Sequence, residues 1–190
     1  MIRAQPLEPT HIAMVIGEYQ SSDTLVVSRL DGYPYTAVFR PNLREISRRQ
    51  RLRIGAITAT DDLHSAWMRQ HDKGGNLVAD PHDHAGYSPP GEIVALASAR
   101  QSPDDAIRAS HRIPPIYRRI AVWNESEDST SHLESAERAG IGVIVLAAGS
   151  VTAHIAPRPP VPGKPAVFRW YVAELIYRSW LQAKKVHASS

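Results

Sequence analysis

Two histidines and two aspartates stand close together at residues 80–84. His82 and His84 are two positions apart, so on an extended chain both side chains point to the same side and can hold one metal ion. Asp80 or Asp83 would complete the site, and such a ligand set is typical of a metallohydrolase. The alternative is a polar loop that binds nothing, because no third ligand is fixed by the spacing.

A second concentration of chemistry-bearing side chains is a run of arginines within residues 44–53, where the apolar positions predict a helix. The run consists of Arg44, Arg48, Arg49, Arg51 and Arg53. Positive charges at this density attract phosphate, and Arg44, Arg48 and Arg51 are the predicted nucleic-acid contacts. The other interpretation is a solvated helix face, or arginines paired with Glu45 and with the acidic stretch at 60–62. No aromatic residue interrupts the run, so stacking on single-stranded bases is not indicated.

Several reaction classes are excluded by missing motifs. The chain contains no G-x-S-x-G elbow, no P-loop and no G-x-G-x-x-G phosphate turn. It also has no cysteine, which rules out a disulfide framework, a cysteine zinc site and a thiol nucleophile. We expect a cytoplasmic protein, since the absence of cysteine fits a reducing compartment and no signal peptide or membrane-spanning run is evident. The net charge of +3 permits nucleic-acid binding without demanding it.

The elements that would position these residues alternate between strand and helix in the second half of the chain. Strands are predicted at 76–80, 92–98, 118–123, 141–148 and 150–156, and helices at 102–113 and 129–140. The apolar run at 92–98 is typical of a strand covered on both faces. This order predicts an α/β fold with a central mixed sheet flanked by helices.

The two ends of the chain are predicted to differ from this core. The N-terminal part combines a helix at 11–19, a β-hairpin at Asp31-Gly32 and the arginine-rich helix within 42–70. Pro34 suggests that the second hairpin strand lies at a sheet edge. A Pro-rich extended spacer at 157–165 leads into a C-terminal helix. The chain is therefore divided into an N-terminal extension (1–75), an α/β core (76–156) and a spacer with the helix (157–190).

The segment EIVALASARQSPDDAIRASHRIPPIYRRIAVWNES, followed by LESAERAGIGVIVLAAG, resembles the restriction-endonuclease-like, or PD-(D/E)xK, nuclease superfamily. The resemblance covers about residues 78–156. It lies in a strand, a helix, a second strand, and a helix that leads into the Gly140-Ile141-Gly142 strand. The resemblance implies a restriction-endonuclease-like sheet. It also implies a site where Asp and Glu hold a divalent metal and Lys aids the attacking water.

Carried over residue by residue, the family's Asp falls at Asp83 or at Asp80. The family's Glu falls at Ser98, which is neutral and a poor ligand for Mg²⁺. The family's Lys falls at Arg100, which stays charged and binds phosphate but accepts no proton. The resemblance therefore implies the scaffold of a nuclease with a degenerate catalytic motif.

The first functional expectation is a non-catalytic nuclease-like domain, without a cofactor, that binds DNA or a protein partner in defence, regulation or a mobile element. Arg100 would join the arginines of residues 44–53 as a phosphate contact. The C-terminal helix at 166–185, whose apolar arc is wide, packs on the body of the protein or mediates a homodimer. We expect no membrane partner.

Two alternatives stay open. One is an active nuclease that uses Mg²⁺ or Mn²⁺ and whose ligands have migrated, either to Asp83 with Glu92 or to Asp80 with His82 and His84. The other is a structural or assembly protein that uses its α/β body and its tryptophan-bearing helix only for contacts.

Overall fold

The computed structural model describes residues 7–30, 32–53, 55–56, 89–125, 129–147, 150–161 and 166–188. The chain forms two compact units. The sheet unit consists of residues 1–40 and 93–163, and the helical unit of residues 41–92 and 164–190. The division expected from the sequence, with boundaries at residues 75 and 156, rests on composition rather than on contacts, and it stays a prediction.

The described strands form one mixed sheet, as predicted. They are β1 (Thr24–Leu30), β2 (Tyr33–Pro41), β3 (Gly91–Ala99), β4 (Arg118–Asn124), β5 (Gly142–Ala147) and β6 (Ser150–Ile155). The order of these six strands across the sheet is the order along the chain. β3, β4 and β5 run parallel, whereas β1 with β2 and β5 with β6 are antiparallel pairs. The predicted strand at 76–80 lies outside the described residues.

Five helices lie in the part of the chain that the structure describes. They are α1 (Pro9–Ile16), α2 (Leu43–Arg51), α3 (Pro103–Arg112), α4 (Ser129–Arg138) and α5 (Ala166–Ala188). α3 links β3 to β4, and α4 links β4 to β5, as parallel neighbours require. α1, α3 and α4 belong to the sheet unit, whereas α2 and α5 belong to the helical unit.

Both faces of the sheet are buried in the sheet unit. One apolar cluster joins α1 to one face, and its members include Ile12, Val15, Ile16, Val38, Val94, Ile120, Val122, Ile144 and Leu146. A second cluster joins α3 and α4 to the other face, through Ala106, Ile107, Ala121, Trp123, Ala136, Val143 and Val145. This explains the uninterrupted apolar run of β3, because a strand covered on both sides has no position left for a solvated side chain.

Local signals account for the element boundaries. The predicted hairpin is confirmed, since β1 and β2 pair antiparallel with Leu30 opposite Tyr33, and Gly32 has a φ of +81°. Ser102 caps α3 by accepting a hydrogen bond from the backbone N–H of Asp105 at 3.2 Å. The expectation that Pro34 marks an edge strand is wrong, because β2 lies between β1 and β3. The proline lies near the start of the strand, as its second residue.

The first part of the predicted Pro-rich spacer has neither helix nor strand, as expected, and it is held against the sheet unit. The backbone N–H of Arg158 donates to the carbonyl of Gly140 at 3.2 Å, and that of Val161 donates to the carbonyl of Pro115 at 2.9 Å. Residues 157–161 are therefore a docked segment of the sheet unit rather than a free linker.

Candidate functional site

The carboxyl ends of β3, β4 and β5 meet at one edge of the sheet, which is where ligands bind in many open α/β sheets. Ser98 is the eighth residue of β3, and Arg100 follows the strand directly. The two residues that the resemblance places in a catalytic motif therefore stand at the end of a parallel strand. Whether they can do chemistry depends on their exposure and on their partners.

Ser98 is sealed inside the sheet unit. Its side chain is 0% exposed, and it lies opposite Ala121 of β4, on the face that α3 and α4 cover. Its hydroxyl oxygen has no hydrogen-bond partner within the described part of the chain. A hydrated cation cannot reach a buried oxygen of this kind. A neutral hydroxyl is also a weaker ligand for such a cation than a carboxylate.

Arg100 is a half-buried arginine that connects two strands. Its Nη1 donates to the carbonyl oxygen of Ala99 at 2.7 Å, and its Nη2 donates to that of Pro34 at 3.1 Å. The backbone N–H of Arg100 donates to the carbonyl of Val122 in β4 at 2.9 Å. The guanidinium thus joins the end of β3 to the start of β2, and two of its five N–H donors are engaged in this role.

Most of the other residues predicted to bind a metal or to act in catalysis have no described position. Asp80, His82, Asp83 and His84 lie outside the described residues, so their site stays a prediction. Among the residues that the structure does describe, no group of three or more His, Asp or Glu side chains could hold a metal ion. Glu92, the proposed alternative ligand, is exposed near the start of β3.

One polar pair, His132 and Asp104, lies near the carboxyl ends of the parallel strands and is not predicted by the sequence. Nε2 of His132, in the first turn of α4, lies 3.0 Å from a carboxylate oxygen of Asp104, in the first turn of α3. The carboxylate is 72% exposed, whereas the imidazole is only 20% exposed. No sequence signal links two residues that are 28 positions apart. The pair ties the first turns of α3 and α4 together.

The arginine run separates into two faces of α2. Arg44, Arg48 and Arg51 follow the i, i+4, i+7 spacing, so they share one face of the helix. Arg44 and Arg51 are exposed. Arg48 is half-buried and makes two hydrogen bonds to the carboxylate of Glu45, both at 2.9 Å. The interpretation that some arginines of the run pair with Glu45 is therefore confirmed for Arg48.

Arg49 lies on the opposite face of α2 and is completely buried. Its guanidinium donates to Glu45 at 2.8 Å, and to both carboxylate oxygens of Glu174 in α5 at 2.7 and 2.8 Å. Trp170 donates its indole N–H to Glu174 at 2.8 Å, and the ring of Tyr177 lies 5.6 Å from the guanidinium carbon. We call Glu45, Arg49 and Glu174 the buried ion cluster. It joins α2 to α5 within the helical unit.

The charges of the buried ion cluster stabilise one another. Burial alone would lower the pKa of Arg49, but the hydrogen bonds and charges of Glu174 and Glu45 outweigh it and raise the pKa. Burial likewise opposes ionisation of Glu45, but the hydrogen bonds and charges of Arg48 and Arg49 lower its pKa. The sequence signal for this cluster was a glutamate, Glu174, inside the apolar stripe of the C-terminal helix.

The apolar stripe of α5 is used within the chain. Its members include Val172, Ile176, Tyr177 and Trp180, all of which are buried. The aromatic ring of Trp180 is also covered by the ammonium group of Lys184, at 4.0 Å from its centroid. Exposed positions of the helix are mostly polar: Arg169, Arg178, Gln182, Ala183, Lys184 and Lys185. Within the helical unit α5 contacts α2 through Arg49 and Glu174, and the two roles expected for it, packing on the body or homodimer formation, stay predictions.

Positive charge is unevenly divided between the two units. The segments of the helical unit contain twelve Lys and Arg against eight Asp and Glu, whereas those of the sheet unit contain ten against eleven. The mild basic character of the whole chain therefore comes from the unit that carries the exposed arginines of α2.

Comparisons of the chain with models of protein families, with curated proteins and with solved structures found no match. Within the described residues, no helix has the length and apolar character needed to cross a membrane.

Proposed function

We propose that this chain is a restriction-endonuclease-like α/β domain whose catalytic acid is missing and which binds DNA without cutting it. The single observation that carries the proposal is the fully buried Ser98 near the end of β3, where the resemblance expects a metal-binding glutamate. A parallel strand followed by a capped helix is the scaffold such a site needs.

The side chains at the end of β3 do not fit a divalent cation. Phosphodiester hydrolysis of this type needs carboxylate oxygens around Mg²⁺ or Mn²⁺, which offset the charge on the phosphate and supply hydroxide. Ser98 offers a buried neutral hydroxyl instead. Arg100 carries a permanent positive charge, and it is already hydrogen-bonded to two backbone carbonyls. No catalytic step follows from these groups.

The exposed face of α2 supports DNA as the ligand. Arg44 and Arg51 project from one side of the helix and are exposed, so both can reach phosphate oxygens. Arg48 lies between them and is partly neutralised by Glu45. Contacts of this kind bind the backbone rather than base edges, so we expect affinity with little sequence preference.

A salt series tests the arginine face. We would measure binding of a short DNA duplex by fluorescence anisotropy for the wild type and for the double variant Arg44→Ala/Arg51→Ala. The slope of log K against log salt is negative, and each lost phosphate contact reduces its magnitude by about 0.9. We therefore expect the magnitude to fall by about 1.8 in the double variant. A matched control is Arg108→Ala/Arg138→Ala, which removes the same charge from two exposed arginines of the sheet unit.

The result also decides between binding roles. An equal decrease in both double variants would contradict a specific role of α2. Absence of DNA binding even at low salt would favour the alternative in which the protein is an assembly or partner-binding domain.

A nicking assay tests the missing catalysis. We expect wild-type protein to leave a supercoiled plasmid intact in Mg²⁺ or Mn²⁺. Cleavage that Asp83→Ala abolishes would overturn the proposal and establish the nuclease with migrated ligands. The control variant is Ser98→Ala, which removes no carboxylate and must leave any such cleavage unchanged.

A further inference from the structure

Two arginine side chains of the sheet unit converge on the C-terminal end of α4. Nη2 of Arg119, at the start of β4, donates to the carbonyl oxygen of Ala139 at 2.8 Å. Nη2 of Arg158, in the docked segment 157–161, donates to the carbonyl oxygen of Arg138 at 3.1 Å. The two acceptors are consecutive carbonyls, which brings both guanidinium groups to the same helix end.

The main chain is shaped to hold Arg158 in this position. The backbone N–H of Arg158 donates to the carbonyl of Gly140, which has a φ of +67°. A Cβ atom on Gly140 would lie only 2.5 Å from Cδ of Arg158, so the glycine leaves the space that this side chain occupies. Pro157 packs as closely over Gly142, where a Cβ would lie 2.8 Å from its Cδ. The two glycines thus let the segment carrying Arg158 lie against the helix end.

Neighbouring arginines have acidic partners, whereas none is found for these two in the described part of the chain. Arg118 binds Glu18 at 2.7 Å, and Arg138 binds Glu134 at 3.1 Å. Within the described residues, no carboxylate forms an ion pair with Arg119 or Arg158. The helix-end carbonyls carry only partial negative charge and offset part of the repulsion between the two guanidiniums.

The electrostatic balance at Arg119 is therefore unfavourable to its charge. Burial lowers the pKa of this arginine, and the positive charge of Arg158 lowers it further. An anion between the two guanidiniums would reverse both effects, since it would replace lost hydration and separate like charges.

We propose that Arg119 and Arg158 together form a binding site for a phosphate-type oxyanion. Each guanidinium uses one nitrogen on a carbonyl, so N–H donors remain on both planar groups. Planar guanidinium N–H donors match the oxygens of a phosphate. The oxyanion comes either from free phosphate or from a nucleic-acid backbone. The site belongs to the sheet unit and does not depend on the arginines of α2.

Isothermal titration calorimetry with inorganic phosphate, against sodium chloride at equal ionic strength, tests the site on the full chain. We expect phosphate to bind the wild type and to raise its melting temperature. The Arg158 side chain is exposed, so the Arg158→Ala variant should fold. It should weaken phosphate binding by about tenfold or more, because a charge-assisted hydrogen-bond donor is lost. Arg119→Met should have an effect of the same size.

The matched control is Arg138→Ala, which removes a charge at the same helix end from an arginine that already has an acidic partner. Phosphate binding that is absent in the wild type, or equally weakened by Arg138→Ala and Arg158→Ala, would overturn the site. The Arg44→Ala/Arg51→Ala variant must bind phosphate like the wild type, which separates this inference from the proposed function.

A second arm distinguishes the two sources of the oxyanion. If the ligand is the DNA backbone, Arg158→Ala reduces the magnitude of the salt slope of duplex binding by about 0.9. If the ligand is free phosphate, DNA binding is unchanged while phosphate binding is lost.

Discussion

Two arginine sites of this molecule have opposite surroundings. In the helical unit, Arg49 is buried between two carboxylates, and its charge is neutralised inside the chain. In the sheet unit, Arg119 lies beside a second arginine, and its hydrogen-bond acceptor is a carbonyl. The comparison shows that the number of arginines does not identify a binding surface. What matters is whether the fold already provides the counter-charge.

The difference also separates stability from binding. A guanidinium with internal partners is costly to remove, because its partners lose their counter-charge when it is gone. A guanidinium without internal partners contributes little to the free energy of folding, and a bound anionic ligand stabilises its charge most. Removal of an arginine should therefore destabilise the protein in one unit and weaken ligand binding in the other.

The largest expected effect is that of Arg49→Ala. The substitution leaves Glu45 and Glu174 buried without their shared partner, and we expect the free energy of unfolding to fall by about 3–5 kcal/mol. Urea denaturation measures this. Arg119→Met is the contrasting variant and should lose no more than about 1 kcal/mol, since it removes one hydrogen bond and also a like-charge contact. Equal losses in the two variants would refute the distinction between them.

A compensated variant sharpens this first prediction. Glu45→Gln/Arg49→Met/Glu174→Gln removes the whole buried ion cluster. Among the described residues around it, Arg48 loses the carboxylate of Glu45 as a partner, but Arg48 is partly exposed. Replacing a buried ion pair as a unit is often close to neutral, so the triple variant should be more stable than Arg49→Ala alone. If it is less stable, the three residues contribute through packing rather than through the balance of their charges.

The next effect concerns the backbone at Gly140, which positions Arg158 in the Arg119–Arg158 site. Gly140→Ala places a side chain at a φ of +67° and displaces the Arg158 side chain from the helix end. We expect a loss of roughly 1–2 kcal/mol from the left-handed conformation, together with weaker phosphate binding. The Gly140→Ala/Arg158→Ala double variant should lose less than the sum of the two single losses, because the clash disappears with the side chain. Strict additivity would show that Arg158 does not occupy this space.

These two sites illustrate what the sequence could and could not predict. The strand and helix order from residue 91 to residue 155 follows from local signals, such as the apolar run of β3 and the cap at Ser102. The helical period alone also separates Arg49 from Arg44 and Arg51. The partner of Arg49 could not be predicted in the same way, since Glu174 lies 125 positions away. Its identity depends on how α2 and α5 pack.

The candidate site was predictable only in part for the same reason. The position of Ser98 near the end of a buried strand followed from the pattern of apolar residues. The absence of any hydrogen-bond partner for its hydroxyl among the described residues depends on what covers that sheet face, which the sequence does not contain. The convergence of Arg119 and Arg158 arises because a turn at Gly140 and a docked proline segment meet at one helix end.

Acidification should weaken the buried ion cluster selectively. The pKa of Glu45 is lowered below its ordinary value of 4.5 by Arg48 and Arg49. A carboxyl with a depressed pKa in the folded chain stabilises it above the unfolded value and loses that contribution as pH falls through the folded value. We therefore expect stability to decline below about pH 4.5, and Glu45→Gln should make that decline shallower.

The control for the pH dependence is Glu134→Gln, which alters an exposed carboxylate of the sheet unit. Its acid profile should match that of the wild type, because exposed ion pairs contribute little. A decline that is unaffected by Glu45→Gln would show that other carboxyl groups govern acid unfolding.

The smallest effect is expected at Ser98, which tests whether a buried polar group without a described partner always marks a binding site. Unlike Arg119, Ser98 is fully buried, so no ligand can supply the missing hydrogen bond. Ser98→Ala removes a hydroxyl whose burial is not offset by a described partner, and we expect the free energy of unfolding to stay equal or to rise by up to about 1 kcal/mol. Chemical denaturation measures it. A loss of more than about 1 kcal/mol would mean that the hydroxyl has a partner after all, and that its position near the end of β3 has a role the proposed function does not include.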